Sequence, residues 1–344
     1  MPTVLEWLGF VYCFSGYVAG PALEISTYLE NSSGKKDKER VTPSGLIPAI
    51  KNFFIGLCCL GLHLVVTANF PLVPDPAKGN PSLDLCPNPN PNPDPDLNPD
   101  PNPNPNPDPT GVNQTSGVFA PDFLERGLFS RFGYILIAII AIRMRYYFAW
   151  KCGEGAYNAA GMGYEGTKDG VEDWSGCQNM DIIGFETSQS VQQLSRAWNQ
   201  KTQHWLENYT YKRIKGSRLK QQVITYAVSA FWHGLEIGFY FFFLTIPFLD
   251  MAREEMRAKV RPYFVSKDAD GKETPKSTKL VYDFLSWVAN QFLCNLITLP
   301  FLVMQLASAV EILKIIMFVP HIIILVTLVV LKLLPDPAKK IKKA

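Results

Sequence analysis

Five polar side chains, Tyr226, Ser229, His233, Glu236 and Tyr240, interrupt an otherwise apolar stretch over residues 222–249. Their spacing of three, four, three and four predicts one face of a single helix, in a segment about long enough to cross a bilayer. Ionisable groups at membrane depth are costly and face a protein interior or a wet cavity. An imidazole there can accept and return a proton near neutral pH, which makes His233 the strongest catalytic candidate in the chain. The alternative is a structural polar seam that joins helices.

The elements that must position this face are membrane helices. The chain has 344 residues, 47% hydrophobic and only 19% charged. A mean hydropathy near zero hides two populations, long apolar runs and very polar loops. Candidate membrane segments are 46–73, 123–150, 222–249, 280–307 and 309–334, with a weaker one at 4–25. No strand-length alternation suggests a barrel, so the expected fold is all-α, a polytopic helical membrane protein forming a single domain over 1–344.

Within that domain, residues 74–117 read as a disordered inserted loop. Alternating Pro with Asn or Asp over 87–109 removes backbone donors and forbids a packed core. Residues 132–142 are apolar but bracketed by Arg131, Arg143 and Arg145. Eleven residues cover only about half of the hydrocarbon, so these arginines must snorkel or point into the protein. Residues 181–214 predict one amphipathic helix, with Leu194, Trp198, Trp205 and Tyr209 on its apolar side. Asn199 lies in it, 34 positions before His233.

The net charge of +2, without a basic stripe, argues for no nucleic-acid partner. Seven scattered cysteines form no CxxC pair, so neither a disulfide framework nor a metal site is expected. Gly161-Met-Gly-Tyr-Glu-Gly166 matches GxGxxG but follows a membrane segment, not a strand, and is discounted as a dinucleotide site. Lys339-Lys340-Ile341-Lys342-Lys343 in the tail 335–344 predicts a cytosolic end. It resembles the dilysine retrieval signal of endoplasmic reticulum membrane proteins, the expected location; a plain basic anchor is the alternative.

Four ordered blocks carry a family resemblance. Trp198-Asn199-Gln-Lys-Thr202-Gln-His-Trp205-Leu206-Glu-Asn-Tyr209-Thr-Tyr211-Lys-Arg213 is followed by Phe231-Trp232-His233-Gly234-Leu235. Leu5-Glu-Trp-Leu-Gly-Phe10 with Ala19-Gly20-Pro21, and Arg143-Met-Arg-Tyr146-Tyr147-Phe-Ala-Trp150 with Glu154-Gly155, precede them. Together they resemble the membrane-bound O-acyltransferases, in particular the lysophospholipid acyltransferase branch. The HxxxxD motif of the other large class of glycerolipid acyltransferases is absent. Two departures stand out. Ile237-Gly238-Phe239 replaces the usual Gly-Tyr after WHG, and the chain begins almost on the first block, where family members carry further helices. A truncated gene model or a shortened paralogue is expected, with weak or no activity from this form.

The resemblance implies transfer of an acyl chain from acyl-CoA, a co-substrate and not a bound cofactor, to the free hydroxyl of a lysophospholipid at the lipid bilayer. An alcohol is a poor nucleophile, so a base must take its proton, and His233 suits that role. Asn199 can donate to the developing oxyanion, or orient the hydroxyl or the acyl carbonyl. Trp198, Trp205, Tyr209 and Trp232 are substrate-contact candidates whose plainer reading is interface packing. Arg143 and Arg213 are candidates for phosphate contact or simple anchors, and the matching block adds Tyr146 and Glu154. The rival readings are an inactive scaffold of the same fold, a transporter, or a relative with a sterol, diacylglycerol or protein acceptor. Oligomeric state and headgroup preference are not legible.

Overall fold

A computed structural model describes residues 2–13, 20–33, 44–72, 117–267 and 273–335. Almost all of the 74–117 loop, and the tail beyond residue 335, lie outside these residues. In chain order the helices begin with α1 (Val4–Val11), α2 (Ile25–Ser32), α3 (Leu46–Asn69), α4 (Pro121–Glu125) and α5 (Leu128–Ala159). A small hairpin, β1 (Gly166–Lys168) with β2 (Val171–Asp173), leads to α6 (Ile182–Glu186), α7 (Val191–Ala197) and α8 (Gln200–Tyr209). Then come α9 (Arg218–His233), α10 (Ile237–Lys259), a second hairpin, β3 (Val265–Lys267) with β4 (Glu273–Pro275), α11 (Lys279–Val303), α12 (Leu306–Ile315) and α13 (Val319–Leu333).

Helices α3, α5 and α11 are long and apolar enough to cross a bilayer, each in an expected window. The expected span 309–334 is a broken pair instead: α12 and α13 meet at 69°. Met317 and Phe318 adopt left-handed backbone at the break, and Pro320, without an N–H, opens α13. The described part of the weaker segment 4–25 holds only a short helix. Thr3 and Glu6 close a capping box that starts α1, which ends at Val11, giving about 12 Å of helix.

Antiparallel α3 and α5 pack along most of their length. Small residues Ala49, Gly56 and Gly155 bring the backbones together. His63 Nδ1 lies 2.9 Å from the Ala141 carbonyl, so the imidazole that looked isolated in sequence has a partner. Helix α5 runs for 32 residues straight through its arginines, and Arg143 turns inward. Ile135 and Ile139 of α5 share a core with Leu296 and Leu299 of α11 and with Ile312 and Leu313 of α12.

The stretch 222–249 departs most from expectation. It is not one helix but a hairpin of α9 and α10. Arg218 pairs with Asp250 at 2.8 Å, Gln222 donates to Asp250 at 2.7 Å, Tyr226 stacks on Phe243, and His233 meets Phe239. Gly234, at φ +140°, makes the reversal possible, because a side chain is strained there. Gly238 then donates to the Met304 carbonyl at 2.8 Å, and a Cβ at that position would strike the Pro300 and Met304 carbonyls. The hairpin tip is thereby docked on the end of α11.

Residues 181–214 also break up, into α6, α7, α8 and a 3-10 turn at Tyr211–Arg213. Ser190 starts α7 by accepting from the Gln193 N–H, and Asn199 turns a left-handed corner (φ 46°) before α8. Polar residues that look like one amphipathic stripe are therefore caps and corners. Gly161 to Gly166 runs from a helix into the β1–β2 hairpin, which is not dinucleotide-binding topology.

Candidate active site

Asn199 sits in a hydrogen-bonded knot. At its base, Glu154 and Lys151 of α5 form a buried ion pair at 2.6 Å. Lys151 also donates to the Met180 carbonyl at 2.7 Å, and Glu154 Oε1 accepts from the Asn179 and Met180 N–H groups, both at 2.8 Å. Asn179, fully buried, carries the order onward. Its carbonyl accepts from the Gln200 N–H (2.8 Å), its Oδ1 from the Lys201 N–H (3.0 Å), and its Nδ2 donates to Asn199 Oδ1 (3.1 Å). Beside this corner Trp198 packs among Tyr146, Tyr147, Trp150 and Phe185, edge-on to Trp150 at 4.7 Å.

A second polar brace holds the loop between α6 and α7. Arg143 Nη2 donates to both carboxylate oxygens of Glu186 (2.8 and 3.0 Å) and its Nη1 donates to Asn295, while Tyr147 donates to the same carboxylate at 2.7 Å. Trp287, Asn290 and Gln291 of α11 donate to the carbonyls of residues 185–188. Arg143 thus points into the protein, one of the two outcomes expected for the bracketing arginines.

His233 is held differently. It is the last residue of α9, ringed by Trp232 (4.7 Å), Phe243 (5.1 Å, stacked), Phe301 (5.0 Å, edge-on) and Phe239 (5.7 Å). Among the described residues it makes no hydrogen bond. It lies at the surface of the hairpin tip, beside exposed Phe231, Trp232 and Leu235.

The expected five-residue polar face is therefore divided. Tyr226 and His233 face α10; Glu236 is the N-cap of α10 rather than one turn after His233; Tyr240 lines a separate apolar cavity of about 510 Å³ with Thr245 and His321. Asn199 and His233 share no hydrogen bond, and each belongs to its own cluster. Trp205 and Tyr209 are exposed on α8, with Arg213 over the Tyr209 ring.

Another cavity, of about 550 Å³, opens between α7, the end of α10, the start of α11, and α13. Arg196, Arg253, Arg257, Arg261 and Lys279 line it, above an apolar floor that includes Leu249 and Leu293. Arg253, Arg261 and Lys279 are engaged by Asp250, Glu273 and Asp283; Arg196 and Arg257 have no ion-pair partner among the described residues. Sequence reasoning missed this cavity, because its cations come from three separate segments, and it missed Asn179 and Lys151. The only available signal for Asn179 was a polar residue on the loop between the Glu154 block and Asn199.

These features define a multi-pass helical membrane protein with a polar knot and an exposed histidine carried by a folded-back helix pair. The family model of the membrane-bound O-acyltransferases matches residues 117–299, more than half of the chain, and the chain belongs to that family. It is 28% identical to a lysophospholipid acyltransferase of Schizosaccharomyces pombe over 342 residues, covering 96% of this chain and 58% of that protein. It is 32% identical to membrane-bound glycerophospholipid O-acyltransferase 2 of Rattus norvegicus over 208 residues (60% and 38%). Against lysophospholipid acyltransferase 2 of Arabidopsis thaliana it is 28% identical over 257 residues (71% and 46%). The chain spans at most about three fifths of the length of these relatives.

Proposed function

We propose that this chain performs acyl-CoA-dependent acylation of a lysophospholipid, with His233 as base and Asn199 as hydrogen-bond donor. The observation that carries the reading is His233 itself: an imidazole fixed by aromatic rings, without a hydrogen bond among the described residues, at an exposed apolar tip. The relatives, a lysophospholipid acyltransferase and a membrane-bound glycerophospholipid O-acyltransferase by name, support the same reaction class. His233 takes the proton of the acceptor hydroxyl as its oxygen attacks the thioester carbonyl. Asn199 donates to the oxyanion; the C–S bond then breaks, and the proton passes to the departing CoA thiolate. No acyl-enzyme is needed, because both substrates react in one ternary complex.

The basic cavity supports acyl-CoA as donor. Arg196 and Arg257 are free to meet its phosphates, and guanidinium geometry suits them. From Phe243, beside His233, to Arg253 and Arg257 is roughly 15–20 Å along α10 at about 1.5 Å per residue, a span that the extended pantetheine arm covers. In this reading Trp205, Tyr209, Arg213 and Trp232 meet headgroup or interface, and the dilysine-like tail supports the endoplasmic reticulum membrane as the location. In membranes given acyl-CoA and lysophospholipid, His233→Ala lowers kcat roughly 10²–10⁴-fold. Arg257→Glu raises KM for acyl-CoA with kcat little changed. Acyl transfer by His233→Ala at the wild-type rate would refute the assignment.

A further inference from the structure

The knot around Asn199 has a direction that its hydrogen-bonding groups dictate. A backbone N–H can only donate, so the Asn179 atom facing the Lys201 N–H must be the oxygen, Oδ1. The other end of the Asn179 amide is then the NH2, a donor. Whatever it meets on Asn199 must accept, and that atom is Asn199 Oδ1 at 3.1 Å. The amide oxygen of Asn199 is thereby occupied, and its Nδ2 donates to no protein group among the described residues. An amide whose two ends would otherwise interchange is left with its donor end free.

We propose that Asn179 is a positioning residue that sets Asn199 as a donor, and not an acceptor, toward the acyl carbonyl. The proposal rests on the catalytic reading of Asn199 above and decides among the roles that the sequence left open for it. The arrangement is rigid at each link. Glu154 fixes the Asn179 backbone through two N–H groups, Lys151 fixes Glu154, and the Asn179 carbonyl fixes the first residue of α8. The left-handed backbone of Asn199 follows from this, since Asn179 holds both Gln200 and Lys201 on the far side of the corner. A donor aimed in advance at the developing oxyanion needs no reorganisation during reaction, which is what makes such groups effective.

The discriminating variant is Asn179→Asp. Its carboxylate still accepts from Lys201 but presents a second acceptor to Asn199, so the Asn199 amide must rotate and aim its oxygen at the substrate. Two readouts follow. In the full chain, labelled with 15N-asparagine and held in detergent, the Asn199 side-chain NH2 signal is identified by its loss in Asn199→Ala. In the wild type that NH2 exchanges quickly with water; in Asn179→Asp it is hydrogen-bonded and slow. An unchanged signal overturns the proposal.

In the acylation assay, Asn179→Asp lowers kcat by roughly 10²–10³, the size of a lost oxyanion donor, with KM nearly constant. In an Asn199→Ala background it produces no further loss. Asn179→Ala, which adds no charge, gives a smaller loss with the same non-additivity and serves if the Asp variant misfolds. Losses that multiply would mark Asn179 as merely structural and overturn the proposal. An inactive Asn199→Ala beside a fully active Asn179→Asp overturns this inference alone. A fully active Asn199→Ala removes the catalytic reading of Asn199, and this inference with it.

Discussion

Asn199 and His233 are held by opposite kinds of chemistry. Asn199 sits in a network of ion pair, side-chain amide and backbone groups, partly buried and fixed on one side by directional bonds. His233 sits among aromatic rings that restrain its plane and leave both ring nitrogens without a protein partner among the described residues. The difference matches what each group must do. An amide donor works only if its oxygen and nitrogen cannot exchange places, so it needs hydrogen bonds that tell the two ends apart. A base must gain and lose a proton within a turnover, and a fixed acceptor on its ring would compete with the substrate hydroxyl. Aromatic packing orients without competing.

The sharpest way to break this contrast is at the foot of the knot. Glu154→Gln keeps an acceptor for the Asn179 and Met180 N–H groups but strands the buried Lys151 ammonium. Removing one partner of a buried pair costs about 3–5 kcal/mol. Thermal unfolding in detergent should show that loss, together with a fall in acyl transfer. The double variant Lys151→Met with Glu154→Gln should recover most of the stability, because no uncompensated charge remains. Equal stability of wild type and Glu154→Gln would mean that the pair is not buried and the knot not rigid.

At the other site the expected effect is smaller. Phe243→Leu removes the ring stacked on His233 but keeps an apolar side chain against Phe301. An aromatic pair is worth about 0.5–1.5 kcal/mol beyond its buried area, so kcat should fall up to about tenfold while the protein stays folded. A loss as large as that from His233→Ala would show that Phe243 does more than orient the ring.

The same contrast separates what could be read in the sequence from what could not. Apolar runs placed α3, α5 and α11, because crossing a bilayer needs length and composition only. The hairpin was not legible. The 3.6-residue period reads straight through Gly234, and nothing in a period of side chains records that the backbone reverses there. Tyr240 joined the supposed polar face by that coincidence and in fact lines another cavity. His233 stands out in the sequence because an ionisable residue in an apolar stretch is conspicuous. Asn179 was not, because an Asn in a polar loop stands out only once Glu154, Lys201 and Asn199 have been brought to it by tertiary packing.

The smallest effect supplies the most direct probe of the knot. Cys177 lies two residues before Asn179 and is buried. Burial pushes its thiol up to about 12, against the opposing pull of the nearby Lys201 ammonium. The reactive species is the thiolate, so at pH 8 both access and ionisation protect this cysteine. Maleimide should label it slowly in the folded protein and rapidly after denaturation, which mass spectrometry of the labelled peptide resolves. If the knot holds this loop as a unit, Glu154→Gln should raise Cys177 labelling several-fold, while Phe243→Leu at the aromatic site should leave it unchanged. Equal acceleration by both variants would mean that the two sites loosen together, and that the distinction between a locked amide and a freely orienting imidazole does not hold in solution.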